Sequence, residues 1–510
     1  MPKTLTRRDF LKLASSLSLG ASFSEFNLPA IKPLKETDQN NFLIIVFDTF
    51  SAEHLSFSGY PRGTTPHLTK LLKRAKVFHN HQASGAWTIP GTASLLTGTS
   101  PLTNRAFNLE AKILERFSTG KQNIFGQMDD YYRFGYTHNP LAQHLLKNFF
   151  NSIDDYKPRH ELYLSTDIFS LLFDNDYDTA SLSGVQILKK EYRGFANSLV
   201  LSEIRNLIKQ NQLRAYLEKY PRGLPSIEKD KTFLLEDSID WLQQKLLDVP
   251  QPFLGYFHVL PPHDPYTTRQ EFINAFENDG YQPKEKPAHL FKNGIPYKEL
   301  LEKRRWYDEF ILYADAEFKR LYEFMEDNNL LDNTTLIITS DHGEMFERRI
   351  WGHFEPVLFQ PVIHIPLVIF PPGQQAREDY HAPTSALDIL PTLLHLSNQA
   401  IPRWAEGEVL PGFTSAPHNA PRSIYAVESR PTNLAMPMKI GTVSLLKNNH
   451  KLIKYFGYDQ IPKKVPMYEL FDLENDPEEL NNIYSGESGQ ARLLIEELEE
   501  KIRTSNSPYM

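Results

Sequence analysis

Phe42-Leu43-Ile44-Ile45-Val46-Phe47, with Asp48 directly behind it, is a continuous apolar run of one strand's length. A strand without polar alternation is buried on both faces, the habit of α/β sheets. Three more runs read the same way. Phe253 to Leu260 leads into Pro261-Pro262-His263-Asp264-Pro265-Tyr266, and Thr335 to Thr339 leads into Ser340-Asp341-His342-Gly343-Glu344. Ile365 to Phe370 ends at Pro371-Pro372-Gly373. Helical patterns intervene. Thr65-Pro66 supplies a cap and first turn for Leu68, Leu71, Leu72 and Ala75, and Tyr307 to Met325 carries Phe310, Tyr313, Ala314, Phe318 and Leu321 at helical spacing. The expected fold class is α/β. Asp48, His263 and Asp341-His342 each stand at the C-terminal end of an expected core strand. Open α/β sheets bind ligands at that edge, so residues far apart in sequence are expected to share one crevice.

A second stretch, Ala86-Trp87-Thr88-Ile89-Pro90-Gly91-Thr92-Ala93-Ser94-Leu95-Leu96-Thr97-Gly98, reads as a turn that opens a helix. Thr88 is an acceptable N-cap, Pro90 suits the first turn, and Gly98 is placed to end the helix in the left-handed conformation. The Thr88 hydroxyl then lies at the positive end of a helix dipole, where a tetrahedral anion is stabilised. Taken singly, a capping Thr and an Asp after a strand are ordinary structural residues. Their joint placement at strand ends points to a site.

Asp48, Asp341 and His342 offer two carboxylates and one imidazole, to which Thr88 adds an oxygen. A divalent cation held by these four would lower the pKa of the Thr88 hydroxyl and keep it as an oxyanion nucleophile at neutral pH. One imidazole with oxygen donors favours Mn or Zn, with Ca or Mg as alternatives. His263 and His353 (in Ile350-Trp351-Gly352-His353) are candidates to protonate a leaving group or to bind the transferred oxyanion. A structural or surface histidine is the competing reading for each. His54, His79, His81 and His364 are read as structural.

The segments Val46-Phe47-Asp48-Thr49, Gly59-Tyr60-Pro61 with Thr64-Thr65-Pro66-His67-Leu68, and Trp87-Thr88-Ile89-Pro90 with Ser94-Leu95-Leu96-Thr97-Gly98 together resemble the N-terminal part of the sulfatase family, within the alkaline phosphatase superfamily. Pro262 to Tyr266, Ser340 to Glu344, Ile365 to Val368, Asp388 to Leu394 and Glu469 to Glu479 continue the likeness in order. It runs from about Asn41 to Ile502. The resemblance implies a large mixed sheet flanked by helices, followed by a small C-terminal antiparallel sheet plus helix. It also implies a divalent metal at Asp48, Asp341 and His342, a nucleophile at Thr88, and contacts to the transferred or leaving group from His263 and His353.

One departure from the family matters. Sulfatases oxidise a Cys or Ser at the Thr88 position to formylglycine, supported by an Arg where this chain has Thr92. Oxidised Thr is a ketone, and an unmodified Thr intermediate must be resolved by attack at the transferred centre. That route is familiar for phosphoryl groups in relatives with Thr or Ser nucleophiles. The expected activity is therefore hydrolysis of phosphate diesters or monoesters or of phosphonate esters. Sulfuric ester hydrolysis and soluble phosphotransfer are the alternatives among enzymes. A catalytically silent sulfatase-like binding protein is the alternative outside them. A second metal is not expected, because no Asp-x-x-x-His pair precedes Asp341.

The 510-residue chain is 41% hydrophobic, enough for a large core, and contains no cysteine. Disulfides, zinc-thiolate sites and thiol nucleophiles are thereby excluded. A formal net charge of −8 without a Lys/Arg run gives no sign of a nucleic-acid partner. The expected substrate is a small-molecule, lipid or glycan ester. Thr6-Arg7-Arg8-Asp9-Phe10-Leu11-Lys12 resembles the twin-arginine export signature, with a modest apolar stretch from Leu13 to about Phe23 that is too short to span a membrane. Expected organisation is a signal segment over 1–30, cleaved near Ala21 or Ala30, and a catalytic domain over 40–400 with a variable, cap-like segment at 107–231. A C-terminal α+β subdomain follows over 423–510, its last helix carrying Leu493, Leu494, Leu498 and Ile502 on one face. Export would use the twin-arginine machinery and place the protein in the periplasm or outside the cell, with no integral membrane segment after signal removal.

Overall fold

The structure, a computed structural model, describes residues 39–164, 214–228, 231–415, 422–461, 466–484 and 489–510. The export signature and, within the cap-like segment at 107–231, residues 165–213 and 229–230 lie outside the described residues. Asp38–Met510 forms one compact unit. No helix among the described residues is long and apolar enough to cross a membrane.

The expected run Phe42 to Phe47 lies in strand β1 (Asn41–Phe47). Chain order continues with β2 (Lys76–Gln82), β3 (Tyr132–Thr137), β4 (Asp155–Tyr156), β5 (Phe253–Val259), β6 (Thr334–Thr339), β7 (His364–Phe370), β8 (Glu378–Tyr380) and β9 (Thr384–Ser385). They make one sheet in the order β8-β2-β7-β6-β1-β5-β3-β4, with β9 also on β2. β1 lies parallel between β5 and β6, whereas β7 is antiparallel to both β6 and β2. The sheet is mixed, as the family resemblance implies.

Every residue of β1 is buried, and its two faces feed two separate cores. Leu43, Ile45 and Phe47 pack with helix α4 (Leu235–Asp248) and the long helix α5 (Tyr297–Asp327). Phe42, Ile44 and Val46 pack with α2 (Thr88–Thr97), through Ile89, Ala93, Leu95 and Leu96, and with α6 (Ile389–Leu396). The short helix α1 (Pro66–Leu71) precedes β2, and α3 (Pro140–Leu146) follows β3. Two layers of helix about a two-sided sheet explain why the strand sequences show no polar alternation.

The C-terminal part forms a second, antiparallel sheet, β10 (Ile424–Glu428), β11 (Gly441–Lys447), β12 (His450–Phe456) and β13 (Met467–Asp472), closed by helix α7 (Gly489–Asn506). Ala491, Leu494, Leu498 and Ile502 are the buried apolar face of α7. Leu493 is 68% exposed and does not share that face, because Ala491 takes the position one turn before Leu494. β10 docks onto the segment before α2, Val427 N–H donating to the Ser84 carbonyl at 2.9 Å. The segment at 107–231 is not a cap throughout: its β3 is a full strand of the central sheet beside β5.

Candidate active site

Asp48 follows β1 directly and its amide donates to the Val259 carbonyl of β5 at 3.0 Å, which fixes the direction of its side chain. Asp341 and His342 follow β6. Ser340 Oγ donates to the Phe47 carbonyl at 2.7 Å and accepts from Phe50 N–H at 2.9 Å, so the ends of β1 and β6 are tied together by one hydroxyl. Between them Thr49 has φ 61°, the left-handed region, which is costly for a β-branched residue. Tyr307 holds it there by donating to the Thr49 carbonyl and accepting from Ser51 N–H.

The result is a buried cluster. Ligand atoms of Asp48, Asp341 and His342 all lie within 4.8 Å of one another, and His342 Nε2 is 3.6 Å from both Asp48 Oδ1 and Asp341 Oδ2. Asp341 Oδ1 is occupied by His342 N–H at 3.0 Å, and His342 Nδ1 meets the Gly343 carbonyl at 3.0 Å. A carbonyl only accepts, so Nδ1 carries the proton and Nε2 presents a lone pair. The inward atoms Asp48 Oδ1, Asp341 Oδ2 and His342 Nε2 are buried without a hydrogen-bond partner. Three convergent orphans, two of them carboxylate oxygens, are a donor set that fits a divalent cation, since buried groups of this kind are otherwise paired.

Thr88 is not the N-cap expected from the sequence. Trp87 occupies the cap in extended conformation (φ −162°, ψ 170°) without a side-chain cap bond, and Thr88 is the first helical residue. Its hydroxyl is thus free of capping duty. Asn139 Nδ2 reaches it at 3.1 Å and also donates to Asp48 Oδ2. Gly98 ends the helix with φ 62°, as expected. Gly91 is pressed against the acid loop: a Cβ there would sit 2.1 Å from the Asp341 carbonyl oxygen.

His353 and His263 complete the set. The His342 and His353 rings are 4.4 Å apart and those of His353 and His263 are 5.1 Å apart. His263 Nδ1 contacts the Asp264 carbonyl at 2.6 Å, and His353 Nδ1 contacts Glu344 Oε1 at 3.1 Å. All of Asp48, Thr88, His263, Asp341, His342 and His353 therefore meet in one crevice. His54, His79, His81 and His364 instead pair with Asp308, Asp379, Thr384 and Glu53.

Electrostatics set the two acids apart. Burial raises the Asp48 carboxyl, but the charges of His263 and His258 outweigh it and hold it below the usual range. Burial and the Asp48 charge push Asp341 up. Glu344 is driven well above the ordinary value by burial and by Asp264 and Asp48. His353 is driven well below, chiefly by burial and further by the charges of His263 and Arg430.

Two residues here were not singled out from sequence. Asn139 lies in the segment expected to be variable and cap-like, yet Asn139-Pro140 is a readable cap signal: its Oδ1 accepts from Leu141 and Ala142 N–H at 2.7 and 3.2 Å. His258 sits inside the apolar run of β5 and carries no separate signal.

A mixed sheet that gathers buried acids, an imidazole and a helix-borne hydroxyl at its strand ends defines a hydrolytic α/β architecture. Residues 40–399 match the family Sulfatase, and residues 350–507 match N-sulphoglucosamine sulphohydrolase, C-terminal. The chain belongs to the sulfatase family of hydrolases. Choline-sulfatase of Rhizobium meliloti (strain 1021) is 25% identical over 476 residues, 89% of this chain and 84% of that protein. Arylsulfatase K of Xenopus laevis is 28% identical over 299 residues, which are 52% of this chain and 53% of that one, about half of each. The fold is similar to that of the phosphonate monoester hydrolase of Agrobacterium radiobacter, with a TM-score of 0.64 at 17% identity over 92% of this chain and 96% of that one.

Proposed function

We propose that this hydrolase uses one divalent cation, with Mn or Zn favoured, and the unmodified Thr88 hydroxyl to cleave phosphate diesters or monoesters or phosphonate esters. The observation that carries the reading is the Thr88 hydroxyl itself: a single oxygen on the first residue of α2, accepting from Asn139 beside Asp48. A formylglycine hydrate presents two hydroxyls, of which the second expels sulfate without attack at sulfur. Thr88 has no second hydroxyl, so its ester must be opened by water at the transferred centre, chemistry that suits phosphorus.

When bound at Asp48, Asp341 and His342, the cation supplies a lowered hydroxyl pKa and charge neutralisation. In the proposed reaction Thr88 Oγ1 bonds to phosphorus and the phosphorus–oxygen bond to the leaving alcohol breaks. His263 delivers a proton to that alcohol. His353, its Nδ1 held by Glu344, contacts the transferred group through the rest of its ring. Asn139 Nδ2 steadies the charge that develops on Thr88 Oγ1. Water then attacks phosphorus, and Thr88 leaves as its alcohol.

Sulfuric ester hydrolysis is the second reading, supported by what the curated relatives are called, choline-sulfatase and arylsulfatase K. One panel separates the two: nitrophenyl phosphate, bis-nitrophenyl phosphate, phenylphosphonate and sulfate esters, with metal-loaded wild type and Thr88→Ala. Turnover of phosphorus esters that disappears in Thr88→Ala is expected. Cleavage of the sulfate ester alone selects the second reading, and activity that survives in Thr88→Ala removes the nucleophile.

We also propose that the chain is exported by the twin-arginine route, on the strength of Arg7-Arg8 and the apolar stretch behind them. Replacing both arginines with lysine should keep the protein in the cytoplasmic fraction, and continued appearance in the periplasm would refute the route.

A further inference from the structure

His258 is a buried residue at the crevice floor that the proposed reaction does not use. It is the penultimate residue of β5, in register with Val46 of β1 on one side and Thr137 of β3 on the other. Its neighbours in the sheet therefore lead straight into Asp48 and Asn139. The ring is fully buried. Nδ1 meets the Tyr256 hydroxyl at 3.0 Å, two residues back on the same face of the strand. Tyr256 is itself fully buried, and Thr92 Oγ1 lies beside its hydroxyl without a hydrogen bond of ordinary geometry. Nε2 has no hydrogen-bond partner and faces two carboxylates, 3.5 Å from Asp48 Oδ2 and 3.8 Å from Asp341 Oδ2.

These distances exceed a direct hydrogen bond. Both His258 and His342 approach Asp341 Oδ2, but they divide the two oxygens of Asp48 between them. His342 faces Asp48 Oδ1, whereas His258 faces Asp48 Oδ2, the oxygen that also takes the Asn139 amide. Asp48 Oδ2 thus takes the Asn139 amide with the His258 nitrogen beside it, while Oδ1 stays without a hydrogen bond. An unpartnered buried nitrogen shared between two acids of one site is costly to leave idle. Groups of this kind around metal ligands fix ligand orientation.

We propose that His258 is a positioning residue for the cation site, an imidazole set beside Asp48 Oδ2 and Asp341 Oδ2 that aligns both carboxylates for the metal while Tyr256 fixes the ring. The role rests on the metal-dependent reading above. It acts through the acids and touches neither substrate nor metal.

The test is metal titration of the full chain, stripped by chelator and followed by calorimetry with Zn²⁺ or Mn²⁺ alone, with thermal unfolding of the metal-free protein in parallel. His258→Leu, which keeps bulk, should weaken the dissociation constant by about 10- to 100-fold with one ion still bound per chain. His258→Gln, with an amide donor of similar reach, should recover most of the loss. Tyr256→Phe, which leaves His258 in place, should fall between wild type and His258→Leu. Wild-type affinity in His258→Leu overturns the proposal, as does a fall in metal-free melting temperature with no change in affinity. Complete loss of stoichiometric binding in that variant would make His258 a ligand and also overturn it. If His258→Leu does not fold, Tyr256→Phe decides, and wild-type affinity there is the overturning result. Should wild type bind neither ion, the metal-dependent reading fails first and this inference with it.

Discussion

Asn139 Nδ2 stands 3.1 Å from Thr88 Oγ1, and the same amide donates to Asp48. One side chain thus spans the hydroxyl and the acid, while its Oδ1 caps α3. Asn139→Ala should lower kcat/KM for whichever ester wild type cleaves by about 10²- to 10³-fold, the scale for losing one preorganised donor to a developing oxyanion. It should also cost about 1 kcal/mol of stability from the lost cap. Asn139→Asp keeps the cap acceptor but sets a third carboxyl beside Asp48, so activity should fall with melting temperature little changed. Kinetics and thermal unfolding on the two variants separate the roles, and an active Asn139→Ala would dismiss the donor role.

Removing metal should destabilise as well as inactivate. The inward oxygens of Asp48 and Asp341 and the His342 Nε2 have no partner in the protein. An ion that binds only the folded state at a thousandfold excess over its Kd adds about 4 kcal/mol. Chelation should therefore lower the melting temperature, and Zn²⁺ or Mn²⁺ should restore it. Elemental analysis that finds no bound ion, with a melting temperature indifferent to chelator, would contradict the assignment.

Asp315 predicts a pH effect away from the crevice. It sits on α5 and accepts the His67 and Leu68 N–H groups of α1, each at 2.8 Å. Burial pushes its carboxyl up to about 7 against those two donors. Its folded value lies above its unfolded one, so its contribution to stability is fully present below about pH 4 and is lost as pH rises through 7. Asp315→Asn should flatten the stability profile over that window, by roughly 4 kcal/mol at most. Denaturant midpoints at pH 4.5 and 7.5 for both proteins measure it, and parallel profiles would refute it.

Arg422, part-exposed, and the buried Asp388 form a two-pronged pair, and Asp388 also accepts the Ser385 and Glu408 amides at 2.8 Å each. Arg422→Met strands an acid that is 1% exposed. The expected loss is about 3–5 kcal/mol. Asp388→Asn together with Arg422→Met should lose less than Arg422→Met alone, because no charge is left uncompensated. Chemical denaturation of the single and double variants tests the ordering.

The strands are legible because burial on both faces leaves no polar alternation to confuse the reading: Phe42 to Phe47 and Thr335 to Thr339 lie within β1 and β6. Strand ends then brought Asp48, Asp341 and His342 into view, and the helix after Trp87 brought Thr88. What the sequence hid was geometry across the sheet. Asn139 reaches the crevice only because β3 pairs with β5, and β3 carries mixed residues that read as an unremarkable segment. Thr88 was read as a cap because Thr before a helix ordinarily is one. Trp87 took that position through its extended backbone and freed the hydroxyl. Leu493 was placed on the buried face of α7 because adjacent leucines cannot be told apart without knowing where the helix starts.

Gly91 offers a way to read other chains. The helix that carries Thr88 rests on the Asp341 carbonyl with no room for a single methyl group. A homologue that kept Asp48, Thr88, Asp341 and His342 but exchanged this glycine would look intact by its polar residues while its hydroxyl had been levered away from the acids. Screening relatives by the four polar positions alone would count such chains as enzymes; adding position 91 would sort them into the idle members of the family.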